Sequence, residues 1–286
     1  MRLDFLIGFM IEALLILILA KLGRDVFLRL RGTNVNQMVV EKKSVGAAVA
    51  QSGYLIGVLL GFLGAVSAGE PNPNGVQSFL DLALGVALAG LIAIVLQLTA
   101  DFLSDQLIFR GVRAGLAEAE EVNVTLAVGK AAVSIATGLV LRGALSDPES
   151  GLGTRVLWFA AAQAVMVLAV LLYCRLTPYD DLAEIRRNNL AAGFPIAGIL
   201  IAVGFVMEGA VAGRHAATAG AAALEAGKFF GISLVLVYVL RLITSFFLLP
   251  KVNLSRAIVT DKNVGAGLQE GSAFVLAALV VTYFLG

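Results

Sequence analysis

The chain is poor in what protein sites are usually built from. It has one cysteine, Cys174, so no intramolecular disulfide can form. It has one histidine, His215, far from Cys174 in sequence, and that pair does not make a protein-built zinc or haem site. Charged residues are only 14% of the 286, and the net charge of +1 gives no pointer to nucleic acid, which is not expected as a partner. There is no P-loop, no G-x-S-x-G and no H-E-x-x-H. The sequence therefore reads as a non-enzyme, and it implies no metal and no cofactor.

Apolar residues are abundant: 59% of the chain is hydrophobic, and the mean hydropathy is +0.92. A helix needs about 20 apolar residues to cross a bilayer. Eight runs qualify, near 3–22, 45–67, 79–104, 124–143, 154–174, 190–210, 227–249 and 264–285. They are continuously apolar and not alternating, so they predict helices, the form in which a lone segment satisfies its own backbone in lipid. The first run contains Glu12 and ends in Lys21 with no small-residue cleavage site, and it reads as a retained helix.

Lysine and arginine set the expected orientation. The odd-numbered connections hold fourteen, six of them in the first (Lys21, Arg24, Arg29, Arg31, Lys42 and Lys43). The even-numbered connections hold four: Arg142, Arg155, Arg214 and Lys228. The odd connections are expected in the cytoplasm, with both termini outside. Trp158 and Tyr283 then fall at the outer interface, and Tyr173 and Tyr179 at the inner one, where aromatic belts belong.

The chain repeats itself. The even-numbered runs open on EKKSVGAAVAQSG from Glu41, EEVNVTLAVGKAA from Glu120, EIRRNNLAAGFPIAG from Glu184 and TDKNVGAGLQEGS from Thr260. Ser44, Asn123, Asn189 and Asn263 align in these openings. The large repeat contains four helices, in halves 1–145 and 146–286, and a weaker two-helix repeat lies inside it. An even number of crossings keeps each copy in one orientation, so the halves are expected to be related by a pseudo-two-fold axis along the membrane normal, unlike inverted transporter repeats. The hairpins are expected to approximate a ring.

Particular motifs carry a family likeness. Thr177-Pro-Tyr-Asp180 is followed by Glu184-Ile-Arg-Arg-Asn-Asn189-Leu-Ala-Ala-Gly, and Asp261-Lys-Asn263-Val-Gly-Ala-Gly-Leu-Gln-Glu270 closes the second half. With these the chain resembles the bacterial inner-membrane family that includes YjfL, domain of unknown function family 350, as two units in tandem. The resemblance implies an all-α polytopic protein of the bacterial inner membrane and brings no established chemistry.

The strongest functional pointer is buried charge. Asp101, Lys130, Arg241 and Glu270 interrupt apolar runs, and a shift of 140 positions turns Asp101 into Arg241 and Lys130 into Glu270. The signs are thus exchanged between the copies. Hairpins closing through 111–121 and 250–262 bring each pair to one depth, roughly 10–15 Å below the interface at about 1.5 Å per helical residue. A charge at the membrane centre costs about 2.5–3.5 kcal/mol on insertion scales, and by default it marks a functional site. Two pairings are open: within each hairpin, or across the halves as Asp101 with Arg241 and Lys130 with Glu270. The cluster is either a neutral lock between helices or the lining of an ion or proton path.

Glu12 stands alone in mid-run, either as a neutral packing group or as a proton-binding carboxylate; Gln163 is its nearest analogue in the second half. Ser44, Asn123, Asn189 and Asn263 are either helix caps or a polar ring at a cytoplasmic mouth. Gly53, Gly57 and Gly61, Gly193 and Ala197, and Gly267 and Gly271 give the even runs small-residue seams for close helix approach. The even helices are expected inside and the odd ones against lipid, with a kink at Pro195. The expected function is an ion or small-solute pathway, channel-like or proton-coupled. A membrane scaffold that docks a cytoplasmic protein partner in envelope maintenance is the alternative. The topology is testable in a Cys174-free background. Single cysteines at positions 71 and 215 should label from outside, and those at 36 and 253 only from inside. Outside labelling at 36 overturns the orientation.

Overall fold

A computed structural model describes residues 3–30, 37–67, 76–110, 112, 123–146, 151–212 and 219–285, with side chains only from Leu14 onward in the first helix. Among the described residues the fold is all-helical. The helices are α1 (Leu3–Leu30), α2 (Val45–Ser67), α3 (Val76–Leu107), α4 (Val124–Leu145), α5 (Leu152–Leu176), α6 (Asp181–Arg186), α7 (Leu190–Val211), α8 (Ala219–Leu248) and α9 (Val264–Leu285). Single π-helical turns, Gln37–Glu41 and Arg256–Thr260, precede α2 and α9. Among the described residues, seven helices are long and apolar enough to cross a membrane: α2, α3, α4, α5, α7, α8 and α9.

Small residues decide how these helices meet. A Cβ built on Gly57 would lie 2.1 Å from the Ser134 carbonyl oxygen, and one on Gly138 would lie 2.2 Å from that of Gly57. One on Gly204 would lie 2.7 Å from the Ala136 Cα, and one on Gly198 would lie 2.3 Å from the Gly271 oxygen. No real side chain fits at these positions, so α2 packs backbone to backbone on α4, α4 on α7, and α7 on α9. All four run parallel. α4 and α7, in the middle, are almost wholly buried. The remaining long helices flank this row, and α8 turns Phe246 and Phe247 outward. The expected placing of the even-numbered runs inside and the odd-numbered ones outside is the one observed.

The three seams share one register. Counted from the aligned Ser or Asn, Gly53 and Gly198 are both nine places on, and they meet Ala131 and Gly271, both eight places on. Gly57 and Ala136 are thirteen on, facing Gly138 and Gly204 at fifteen. Each inner helix therefore offers one face forward and another back, head to tail. This corrects the expected ring and the expected pseudo-two-fold. A two-fold that placed α4 on α7 would also place α9 on α2, yet those helices are the two ends of the row and make no extensive contact. The physical reason lies at the ends. Place thirteen of α9 is Leu276, 52% exposed, and place fifteen of α2 is Leu59, 37% exposed. Leucine there prevents the backbone approach that the inner seams use.

Pro195 lies inside α7, which continues through it from Leu190 to Val211. Proline removes the donor to the carbonyl four residues back, here that of Ala191. This freed oxygen faces α9 at Gly267, where a Cβ would come within 2.0 Å of it. Only glycine allows such an approach, with a Cα–H near the carbonyl.

The seams predict unequal costs for one substitution. Gly57→Ala should lower stability by about 1–3 kcal/mol through overpacking. Gly227→Ala, where a Cβ meets nothing within 4 Å, should be neutral or slightly stabilising through helix propensity. Thermal unfolding in detergent compares the two. Equal effects would remove the seam as the basis of the row.

Candidate functional site

The buried charges pair within their own hairpins. α3 carries Asp101 and Asp105 one turn apart near its end, and α4 carries Lys130 in its second turn. The Lys130 ammonium lies 3.7 Å from Asp101 Oδ1 and contacts Asp105 directly. Asp101 and Lys130 are 5% and 6% exposed. In the second half, Arg241 of α8 forms an ion pair with Glu270 of α9, which is 2% exposed. The equal depth inferred from the hairpin midpoints is what brings each pair together. Of the two pairings left open by the sequence, the structure adopts the one within hairpins and not the one across halves.

The two sites differ in surroundings. The Arg241 guanidinium lies 5.2 Å from the centre of the Phe274 ring and 5.8 Å from that of Tyr238. Tyr173 of α5 packs edge-on against Phe274 at 5.6 Å. Aromatic faces attract a desolvated cation, and a guanidinium is more weakly hydrated than an ammonium, so arginine suits this apolar setting. At the other site one ammonium meets two carboxylates. Asp105 was not among the expected residues, although a carboxylate four places after Asp101 was a legible signal.

All four aligned polar residues cap helices. Ser44 Oγ accepts from the Ala47 N–H at 3.2 Å. The Oδ1 atoms of Asn123, Asn189 and Asn263 accept from the N–H groups of Leu126 at 2.8 Å, Ala191 at 3.2 Å and Ala266 at 3.1 Å. The residue before three of the caps is left-handed: Lys43 at φ 52°, Asn188 at 55° and Lys262 at 46°. The caps follow the row, so they form a line and not the expected ring. Two of them also tie neighbouring elbows together. The Asn123 amide donates to the Ile185 carbonyl at 2.7 Å, and the Asn189 amide donates to that of Ile258 at 2.9 Å.

Other expected residues are placed as follows. Glu12 lies on α1, and its side chain is outside the described residues, as are His215 and the acidic run 118–121. Gln163 is buried, with its amide 3.5 Å from the Thr137 hydroxyl. Tyr173 is buried and packs edge-on against Phe274. Sequence reading also missed an ion pair at the far end of the inner helices, Arg142 of α4 with Glu208 of α7. Both are nineteen places after their caps, so the shared register could have revealed them. It missed Asp181 as well, which is 1% exposed in the elbow before α7. Burial raises its carboxyl from 3.8 to about 6, with the nearby Asp180 charge adding to this and a hydrogen bond from Thr177 opposing it.

Lys130→Ala leaves the carboxylates without their ammonium, and breaking a buried pair costs about 3–5 kcal/mol. Adding Asp101→Ala should recover part of that loss, with a coupling above about 0.5 kcal/mol, whereas Lys130→Ala and Glu270→Ala should be additive. Double-mutant cycles by unfolding in detergent measure both. Coupling to Glu270 alone would overturn the pairing within hairpins.

Comparison with known proteins agrees with this architecture. The Domain of Unknown Function (DUF350) family matches residues 1–145 and again 148–285. A UPF0719 transmembrane protein of Aquifex aeolicus (strain VF5) is 22% identical over 131 residues, 46% of this chain and 48% of that protein. The chain thus spans about half the length of that curated relative. No solved structure matches. A tandem match that covers nearly every residue places the chain in the DUF350 family of transmembrane proteins, as two family units in one polypeptide.

Proposed function

We propose that this protein is a proton-linked pathway for an ion or small solute, and not an enzyme. In this reading it crosses the bacterial inner membrane eight times, α1 included, as two parallel four-helix units at 1–145 and 146–286. The elbows lie in the cytoplasm and both termini outside, as the lysine and arginine bias requires.

One observation carries the reading. Lys130 is buried between Asp101 and Asp105, while the equivalent site in the second half holds Arg241 with Glu270. Two carboxylates against one ammonium leave one negative charge among the three groups. Such an excess of carboxylates, with Asp105 partly exposed, suits the lining of an ion or proton path. Intramembrane carboxylates of this kind mark proton relays and ion paths. The closely packed seams favour a carrier that moves over a standing pore between the inner helices. Charge reversal gives the two halves different responses to the same proton, which a vectorial cycle needs.

The test is proton and alkali-cation flux in proteoliposomes under an imposed potential. Glu270→Gln keeps the volume and removes the charge, and it should reduce flux several-fold. Glu225→Gln, at an exposed position of α8, should not. Wild-type flux equal to that of empty vesicles, across several ions and pH gradients, would favour the scaffold reading with a cytoplasmic protein partner.

A further inference from the structure

The turn from α5 into α7 holds a carboxylate that neither ion pair uses. Asp181 opens α6 and is 1% exposed. Its Oδ2 accepts a hydrogen bond from the Thr177 hydroxyl, and its Oδ1 is buried with no hydrogen-bond partner among the described residues. The nearby acids are already committed. Asp180 Oδ1 caps the Ala183 N–H at 3.0 Å, and the Glu184 oxygens accept from Arg187 and Asn189, both at 2.7 Å. Among the described residues no lysine or arginine forms an ion pair with Asp181.

A buried, uncompensated carboxylate takes up a proton more readily than it stays charged. A metal fits poorly, since calcium takes about 6–8 oxygen ligands and only one free carboxylate oxygen is on offer. A proton needs one lone pair, and Oδ1 has it. The site is also connected. Tyr179, two residues before Asp181, lies close to Tyr173, and both rings sit within reach of the Asp181 and Arg241 charges, which act on them with opposite sign. Tyr173 in turn packs on Phe274, which lies under the Arg241 guanidinium.

We propose that Asp181 is a proton-binding site on the elbow side of the membrane, and that the Tyr179–Tyr173 pair couples its charge to the Arg241–Glu270 pair. The step is a proton moving from water onto Oδ1, which removes one negative charge beside the tyrosines. The groups facing Asp181 are Asp180 and Tyr179 in the turn, Tyr173 and Cys174 from α5, and Arg241 from α8 beyond the tyrosines. This deepens the proton-linked reading above and assigns its entry point.

The sign follows from the raised value. The native state holds this proton more tightly than the unfolded chain, so the favourable contribution is complete below 3.8 and lost as pH rises through about 6. Asp181→Asn should therefore match wild type in Tm near pH 4 and exceed it above pH 6.

The deciding experiment is an infrared titration of the full chain in proteoliposomes. Wild type should show a protonated-carboxyl band with a midpoint near 6 that is absent in Asp181→Asn and retained in Glu270→Gln. Thr177→Val removes the side-chain hydrogen bond that favours the ionised form and should move the midpoint higher. Tyr179→Phe should keep the band and abolish the tyrosine ring changes that accompany it. A band that persists in Asp181→Asn, or a wild-type midpoint near the ordinary aspartate value, overturns the site; ring changes that survive Tyr179→Phe overturn the coupling. Because the readout is spectroscopic, titration without flux would sink the transport reading and spare this site. Flux without titration would do the reverse.

Discussion

Backbone contact between the four inner helices is the constraint from which the rest of the structure follows. Lipid supplies no hydrophobic drive for helix association, so van der Waals contact along small-residue seams must hold the row together. Gly57, Gly138, Gly198 and Gly204 remove the side chains that would hold these helices apart. Once the inner helices are in contact and parallel, each odd helix must return outside the row. This produces the lipid-facing layer, and it explains why the buried charges can pair only with their own hairpin partner.

The ion pairs add to this scaffold and do not create it. Lys130 and Glu270 occupy the same place, seven residues past their caps, while α2 and α7 carry Gln51 and Ile196 there. At this place charge is thus confined to the last inner helix of each half. A desolvated pair contributes little net stability compared with apolar packing, whereas the seams contribute without a desolvation penalty. The aromatic cover of Arg241 and the second carboxylate near Lys130 make the two sites chemically distinct despite their common origin.

The elbows convert local chain chemistry into long-range order. A left-handed residue followed by a capping Ser or Asn turns the chain sharply into α2, α7 and α9. The Asn123 and Asn189 amides then reach the next elbow, fixing the relative height of adjacent hairpins and hence the shared register. Ser44 has no amide to extend in this way. Asp181 lies in the elbow where these ties converge, and a change of charge there acts on a rigid assembly.

Much of this was written locally in the sequence. Continuous apolar runs give helices because an isolated segment in lipid must satisfy its own backbone. The aligned Ser and Asn gave the caps, glycine spacing gave the inner helices, and hairpin midpoints gave charges at one depth. Sequence spacing could not choose between a ring and a row, because closure depends on which face each helix turns to its neighbour. Here that rests on single positions such as Leu276 and Leu59, whose bulk matters only beside a backbone that approaches closely. Nor could it separate the two charge pairings, since depth is common to both and only lateral placement differs. Asp181 carries no local signal of its burial. Its burial comes from the packing of α6 against α7 and α4, which no local pattern encodes. The sequence determined the helices, their caps and the relative heights of the paired charges. Only tertiary packing decided the order of the row, the partners of the charges and which carboxylate loses its water, because each of these depends on lateral contacts between segments distant along the chain.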